Sequence, residues 1–283
     1  MSYSCKILAD SLNTAGNRLT SFEVTYPRII LAEVNTHRML SKSTASSRAI
    51  PVAKMIAAVK SDPFVPVWFG KNQPGMKADE QLDPEAIEEC KKIWLEGLDK
   101  AVDSVEKLLT LGLHKQVTNR LLENWMWTTS IITGTEWGNF FGLRAHPDAQ
   151  PEFQVLAKMM KESYNSNKPK LMQAGEWHLP YMPDLEDLKK DFKEMDLVKI
   201  SAGRCARTSY TSQNGVRDPK EDIELCDRLV VAGHMSPCDH PAKAYPPSWD
   251  YMTMYKDTGN FKGWLQYRKT MPFESDFSKR PTV

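Results

Sequence analysis

Cysteine is scarce in this sequence of 283 residues. The cysteines that occur are widely spaced and form no Cys-x-x-Cys motif: Cys5, Cys90, Cys205, Cys226 and Cys238. An odd number of scattered cysteines argues against a disulfide framework and against a cysteine-based zinc site. His114, His146 and His178 also lack a ligand partner at metal spacing, so we expect them to be structural or exposed. We therefore expect reduced thiols, no bound metal and a cytoplasmic location.

Charge of one sign and long apolar runs are also scarce. The 37 Lys and Arg residues nearly balance the 36 Asp and Glu residues, which leaves a net charge of +1. So small a charge gives no long-range attraction to nucleic acid or acidic membranes, although a local cluster of donors suffices for a nucleotide. No apolar run approaches the roughly 20 residues that span a bilayer. We expect a single domain over residues 1–283, no membrane association and no direct binding to nucleic acid.

Cationic and hydroxyl side chains are most concentrated in residues 33–48, which are E-V-N-T-H-R-M-L-S-K-S-T-A-S-S-R. Cations and hydroxyl groups alternate here, most notably at His37, Arg38, Ser41, Ser46 and Arg48. Arginine offers a planar fork of donors and serine adds short, adaptable ones, so these residues fit phosphate oxygens. The apolar lead-in predicts a buried helix that delivers cationic donors to a serine-rich turn. The alternative is a solvated helix end with a polar loop, because the pattern matches no general motif such as the P-loop.

Periodicity predicts a mixture of strands and helices. Short strands are predicted over 4–9 and over 19–25, where apolar and polar residues alternate, and a β-branched run predicts another over 128–133. Asp83 as N-cap and Pro84 at the first helical position predict the start of a long amphipathic helix that ends at Gly112. Shorter helices are predicted over 53–59, 114–124, 136–144, 150–164, 184–195, 218–232 and 260–269. Residues 61–82, which are rich in proline, predict a long loop of the kind that is often functional.

The stretch at 33–48 resembles the signature of the flavin-dependent thymidylate synthases, R-H-R-x-x-S-x-x-x-x-S-x-R. Five of the six fixed positions match, and the exception is the first, where Thr36 replaces an arginine. Three further blocks, at 112–120, 139–152 and 203–240, also resemble that family. In the family, the last of these precedes the signature. Here the signature block at 22–50 and the block at 112–164 come before it, so the chain resembles a circularly permuted member.

The resemblance assigns roles to particular residues. Arg144 is the catalytic candidate, because the matching arginine of the family recognises the pyrimidine ring of the substrate. The resemblance implies that the substrate is bound by Glu33, Ser46, Arg48, Arg120 and Arg144. It implies that the cofactor is held by His37, Arg38, Ser41, Asn139, Ser209, His234 and Ser236.

The resemblance also implies a fold and a reaction. The fold is α+β, with long helices packed around a mixed or antiparallel sheet, and the chain forms a homotetramer. The reaction transfers a one-carbon unit from methylenetetrahydrofolate to C5 of dUMP, giving dTMP, with FAD as cofactor and NADPH as reductant.

Thr36 and Glu33, which stands where a glutamine is usual, keep two alternatives open. The first is methylation or hydroxymethylation of another pyrimidine nucleotide, such as dCMP, for modified DNA. The second is a flavin- or nucleotide-binding protein that has lost catalysis. We hypothesise that Gln266 and Arg268, in a segment similar to the start of the signature, restore the donors that these two positions lack.

Overall fold

The computed structural model describes residues 2–210, 218–246, 258–276 and 278, and a five-stranded sheet lies at its centre. The described strands of this sheet are β1 (Ser4–Asn13), β2 (Arg18–Pro27), β3 (Ser41–Thr44), β4 (Trp127–Gly134) and β5 (Lys170–Met172). Their order is β3-β4-β2-β1-β5. All neighbouring pairs are antiparallel except β1 and β5, which are parallel.

Helices make up much of the rest of the described chain. They are α1 (Leu31–Asn35), α2 (Val52–Ser61), α3 (Pro84–Thr110), α4 (Lys115–Thr118), α5 (Trp137–Arg144), α6 (Pro151–Ser166), α7 (Leu185–Asp191), α8 (Glu194–Tyr210) and α9 (Pro219–Val231). Of these, α6 and α8 pack against strands of the five-stranded sheet. The predicted start of α3 is confirmed, because the Asp83 carboxylate accepts a hydrogen bond from the Ala86 N–H. Among the described helices, none is both long and apolar enough to cross a bilayer.

A second, smaller sheet is built by the C-terminal half of the chain. Its described strands, β6 (Trp177–His178), β7 (Ala242–Ala244) and β8 (Trp264–Gln266), are antiparallel. Short 3-10 helices cover Arg28–Ile30, Asn119–Trp125, Ser236–Asp239 and Tyr267–Thr270.

The two faces of the central sheet differ in chemistry. One face buries Phe22, Val24 and Ile132 against the aromatic side chains of α5 and α6. The other face carries buried hydroxyl groups, including Ser21, Ser43 and Thr133, and is covered by α8 and other C-terminal segments. The C-terminal half therefore packs directly against the strand that bears the signature serines.

The predicted α+β class is confirmed, as are the strands predicted at 4–9, 19–25 and 128–133. The serine-rich turn is a wrong prediction, because Ser41–Thr44 is strand β3, paired along the edge of β4. The helix predicted over 260–269 is also wrong. Trp264–Gln266 forms strand β8, because pairing with β7 buries Trp264 completely. The helix predicted over 184–195 ends at Asp191, and α8 begins at Glu194.

Candidate active site

The first part of the signature lies beside a cleft with a volume of about 900 Å³. One wall comes from the loop before α3, which contributes Trp68 and Met76. The facing wall comes from the end of α5 and the start of α6. Lys77 ties the loop to the opposite wall through an ion pair of 2.8 Å with Asp148. The cleft is open on one side and is large enough for a nucleotide.

Arg144 and His37 meet at this cleft. The Nε of Arg144 donates a hydrogen bond of 2.9 Å to Nε2 of His37, and its Nη2 lies 3.5 Å from Oγ1 of Thr36. The guanidinium carbon lies 4.8 Å from the centre of the Phe153 ring, which supports it from one side. Two candidates from separate blocks are therefore in direct contact, and Thr36, the position that departs from the signature, is beside them.

His37 is held in its neutral form. Burial, together with the positive charges of Arg144 and Lys42, lowers its pKa to about 4. An imidazole that accepts from Arg144 at Nε2 must carry its proton on Nδ1. His37 is therefore a neutral positioning group, in contrast to the cationic donor that the sequence pattern predicted.

Glu33 lines the same cleft as Arg144. Its Oε2 is buried and has no hydrogen-bond partner among the residues that the structure describes. A buried carboxylate oxygen without a donor is costly, by about 1–3 kcal/mol or more. Glu33 therefore places a carboxylate with an uncompensated oxygen at the wall of the cleft.

Lys42 is a candidate that the sequence analysis missed. Its Nζ donates to the main-chain carbonyl of His37 at 2.5 Å, and burial lowers the pKa of this ammonium to about 8. Lys42 also lines a smaller cavity of about 300 Å³ together with Ser41. A lysine between two serines of the signature was the available signal, but only the fold shows that it is partly buried and has no carboxylate partner among the described residues.

Ser41 is held by the C-terminal segment. Its hydroxyl donates to Oδ1 of Asn260 at 3.2 Å and accepts from Nε2 of Gln266 at 3.1 Å. Arg268 instead forms ion pairs with Asp239 and Glu274. Within the described residues, neither Gln266 nor Arg268 contacts Glu33 or Thr36. The hypothesis that they restore the missing donors remains a prediction, although Gln266 does adjoin the signature.

The second part of the signature forms a surface that is separate from the cleft and carries exposed arginine side chains. The Ser46 N–H donates to the carbonyl of Ser209 at 3.1 Å, which brings two predicted site residues together. Arg38 and Arg48 are exposed, and their side chains make no hydrogen bond or ion pair with any described residue. Arg120 is also exposed and forms an ion pair of 2.9 Å with Glu123.

The loop that carries Arg48 is anchored by hydrogen bonds to the 3-10 helix at Asn119–Trp125. Nδ2 of Asn119 donates to the carbonyls of Ser47 and Ile50 at 2.7 and 2.9 Å, and the Ser47 hydroxyl donates to Glu123 at 2.6 Å. Asn119 is completely buried. It stands where the family resemblance places an arginine, and here it supports the loop.

The other cofactor candidates lie at the surface. Asn139 is exposed on α5, and His234 and Ser236 are exposed after α9. The 3-10 helix that begins at Ser236 packs against β3. Among the described residues, none of these three side chains contacts another candidate, so their roles remain predictions.

Comparison with known proteins identifies a family whose model matches the chain. The family described as "Thymidylate synthase complementing protein", Thy1, matches residues 19–170, which include the signature and the block at 112–164 but not the block at 203–240. No curated protein that was compared matches the chain significantly.

Two solved structures of the UMP/dUMP methylase PolB from Streptomyces cacaoi are similar to part of the chain. The structure bound with 5-Br UMP is 14% identical with a TM-score of 0.45, and it aligns with 58% of this chain and 89% of its own. The structure bound with 5-Br dUMP is 15% identical with a TM-score of 0.48, and it aligns with 58% and 90%. The Thy1 match, which covers more than half of the chain, confirms the resemblance carried by the signature. The chain therefore belongs to the thymidylate synthase complementing protein family, Thy1, and is a methyltransferase.

Proposed function

We propose that this methyltransferase transfers a one-carbon unit from methylenetetrahydrofolate to C5 of dUMP, giving dTMP, with FAD as cofactor and NADPH as reductant. The observation that carries the proposal is the contact between His37 of the signature and Arg144 at a nucleotide-sized cleft. Family membership supports the reaction type. The enzyme acts in the cytoplasm as a homotetramer, whose mass is measured by light scattering.

The donors of the signature fit a flavin dinucleotide and a nucleotide phosphate. Arg38 and Arg48 are exposed guanidinium groups without a partner among the described residues. Lys42, Ser41 and Ser46 add an ammonium and hydroxyl groups along β3 and the loop after it. Planar guanidinium forks and hydroxyls are the donor set that phosphate oxygens need. We assign Arg38, with His37 and Ser41, to the flavin and Arg48, with Ser46, to the nucleotide phosphate. When bound, FAD supplies the redox step of the reaction.

The protein's own contribution is positioning and charge. Arg144, oriented by His37, donates hydrogen bonds to a carbonyl oxygen of the pyrimidine ring. A positive charge there stabilises the negative charge that develops on the ring when C5 becomes nucleophilic. The carboxylate of Glu33, which lines the cleft, accepts a hydrogen bond from the N3–H of uracil. Trp68 lines the cleft and offers a flat ring against which the base packs.

Glu33 also favours a second candidate substrate, dCMP. A carboxylate accepts equally well from the N4 amino group of cytosine, while Arg144 donates to the neighbouring N3. The carboxylate of Glu33 at the wall of the cleft is the observation behind this alternative. Product analysis with dUMP and dCMP in parallel separates the two, because a methylated or hydroxymethylated cytosine product would replace dTMP as the main product.

The proposed function is tested by the absorbance spectrum of the purified protein, before and after addition of FAD and then dUMP. We expect a flavin band that shifts when dUMP is added, followed by folate- and NADPH-dependent formation of dTMP. A flavin band without turnover on any pyrimidine nucleotide would support a protein that has lost catalysis. Absence of flavin binding at micromolar protein would overturn the redox proposal.

The affinity for FAD is expected to depend on pH through Lys42. An anionic ligand favours the charged ammonium, and the pKa of Lys42 in the free protein is about 8. Raising the pH through that value removes the charge before binding, so the affinity falls by about tenfold between roughly pH 7 and pH 9.

The pH dependence of FAD binding is measured by flavin fluorescence titration. The variant Lys42→Met is expected to bind FAD more weakly at pH 7 and to lose most of the pH dependence. Lys60→Met, an exposed lysine on α2, is the matched control and is expected to behave as the wild type. Equal pH dependence in the wild type and in Lys42→Met would contradict the role of Lys42.

A further inference from the structure

A continuous chain of buried side-chain hydrogen bonds crosses the hydroxyl face of the central sheet. Its members, in spatial order, are Ser11, His178, Ser21, Thr133, His240 and Ser43. Each is at most 4% exposed, and the four inner members are at most 1% exposed. We name these six side chains the serine–histidine chain.

The first half of the chain joins β1 to β2 through His178. Nδ1 of His178 lies 2.9 Å from the hydroxyl of Ser11, and Nε2 lies 2.8 Å from the hydroxyl of Ser21. Ser21 and Thr133 are direct partners across β2 and β4, and their hydroxyls are 2.7 Å apart. Every one of these distances is typical of a well-formed hydrogen bond.

The second half of the chain reaches the signature strand. Nδ1 of His240 lies 2.9 Å from the hydroxyl of Thr133, and Nε2 lies 2.9 Å from the hydroxyl of Ser43 on β3. The hydroxyl groups therefore come from four neighbouring strands of the central sheet. Both imidazoles come from the C-terminal half, His178 from β6 and His240 from the segment before β7. The chain thus links the two halves of the protein at the strand that carries Ser41 and Lys42.

Both histidines are neutral, because complete burial lowers the pKa of each to about 3. A neutral imidazole has one N–H donor and one acceptor nitrogen, and each hydroxyl has one proton. The chain therefore holds six donor protons for five hydrogen bonds, which leaves one hydroxyl proton without a partner inside the chain. The position of that spare proton decides the direction of every bond.

The spare proton costs least at an end of the chain. Ser21 and Thr133 are 0% exposed and both of their neighbours already belong to the chain, so a spare proton there is a buried donor without an acceptor. Ser11 and Ser43 are the ends and each retains 4% exposure. With the spare proton at either end, all bonds point the same way, and both histidines carry their proton on the same nitrogen, either both on Nδ1 or both on Nε2.

We propose that the serine–histidine chain is a positioning device that couples the tautomers of His178 and His240 and holds β3 in the geometry that the reaction needs. None of its members touches the nucleotide cleft, so they act through β3. A displacement of the signature strand shifts the groups assigned to flavin and phosphate, and small misplacements of reacting groups cost large factors in rate. This effect on turnover rests on the proposed function, whereas the coupled tautomers do not.

The first test is the ¹⁵N NMR spectrum of the histidine side chains in the wild-type protein, with His178→Asn and His240→Asn used only to assign the signals. We expect the two buried histidines to be neutral and to show the same tautomer. Opposite tautomers, or a charged imidazole at either position, would overturn the proposal. This measurement needs neither flavin nor substrate, so it stands even if the proposed reaction is not observed.

The second test breaks the chain in its middle. Thr133→Val keeps the shape of the side chain but removes the hydroxyl that connects His240 to Ser21. We expect faster hydrogen exchange of the β3 amides and a kcat that is lower by about tenfold. Thr133→Ser restores the hydroxyl and is expected to restore both properties.

The matched control for Thr133→Val is Thr129→Val. Thr129 lies on the same strand, and its hydroxyl is 3.0 Å from that of Thr25, outside the serine–histidine chain. Thr129→Val is expected to retain wild-type exchange of the β3 amides. Wild-type exchange and turnover in a folded Thr133→Val protein would show that β3 does not depend on the chain and would overturn the positioning role.

Discussion

Replacing Arg144 by alanine is expected to lower kcat/KM for the pyrimidine nucleotide by about a hundredfold or more. Removal of a preorganised donor at developing negative charge typically has an effect of this size. The change has a second consequence here, because His37 loses the donor that orients its Nε2. Arg144→Lys is expected to recover little of the activity, since a lysine cannot contact His37 and the ring carbonyl with one planar fork.

The measurement for Arg144 is steady-state turnover of dUMP, combined with the shift of the flavin band as a readout of nucleotide binding. The matched control is Arg228→Ala, which removes an exposed arginine from α9 and is expected to leave kcat/KM unchanged within about twofold. A folded Arg144→Ala protein with kcat/KM within about threefold of the wild type would contradict the assignment of Arg144 to the base.

The family resemblance identifies Arg144 as the catalytic candidate, but the sequence does not predict which residues surround it. Arg144 and His37 were each identified from local motifs, yet they are separated by 107 positions, and nothing in either motif indicates their contact. The neutral state of His37 also depends on that contact and on burial, and both are tertiary properties. Local patterns therefore identified the candidate residues, whereas burial and contacts in the fold determine their protonation states.

Strand β3 shows why the local prediction was wrong at the signature. Ser41, Ser43 and Thr44 are residues that favour turns when their hydroxyls bond to the neighbouring backbone. In the folded chain these hydroxyls have partners elsewhere: Gln266 for Ser41, His240 for Ser43 and Ser130 for Thr44. Long-range hydrogen bonds thus outweighed the intrinsic preference for a turn, as tertiary context commonly does for β structure.

The two buried histidines of the serine–histidine chain illustrate the same limit. His178 was expected to be structural or exposed, and it is completely enclosed between Ser11 and Ser21. No spacing in the sequence relates His178 to His240, because α7, α8 and α9 lie between them along the chain. The hydroxyl residues on the four strands can be recognised as parts of one hydrogen-bonded chain only when strand order and register are known.

Replacing Asp222 by alanine is expected to destabilise the protein by about 3–5 kcal/mol. Asp222 is completely buried on α9 and accepts hydrogen bonds from Nε of Arg204 at 3.1 Å and Nε of Arg207 at 2.6 Å. Both arginines belong to α8, so this carboxylate joins the two helices. Without it, Arg204, which is 2% exposed, keeps Asp184 as its one ion-pair partner among the described residues, with the Tyr181 carbonyl as a neutral acceptor.

The helices α8 and α9 pack closely against each other beside this carboxylate. A Cβ atom placed on Gly203 would lie 2.2 Å from the carbonyl oxygen of Asp222, so the backbones are in direct contact there. The matched control is Asp227→Ala on the same helix. Asp227 is 50% exposed and forms its ion pair with Lys199 at the surface, so its removal is expected to cost less than about 1 kcal/mol.

Urea unfolding of the Asp222 and Asp227 variants measures the difference. A loss of less than about 1 kcal/mol for Asp222→Ala would show that the buried arginines find other partners and would contradict this account. The expected loss also has a consequence for the site, because α8 carries Ser209, whose carbonyl accepts from the Ser46 N–H. A displaced α8 would release the loop that presents Arg48, so nucleotide binding should weaken in Asp222→Ala even where the protein remains folded.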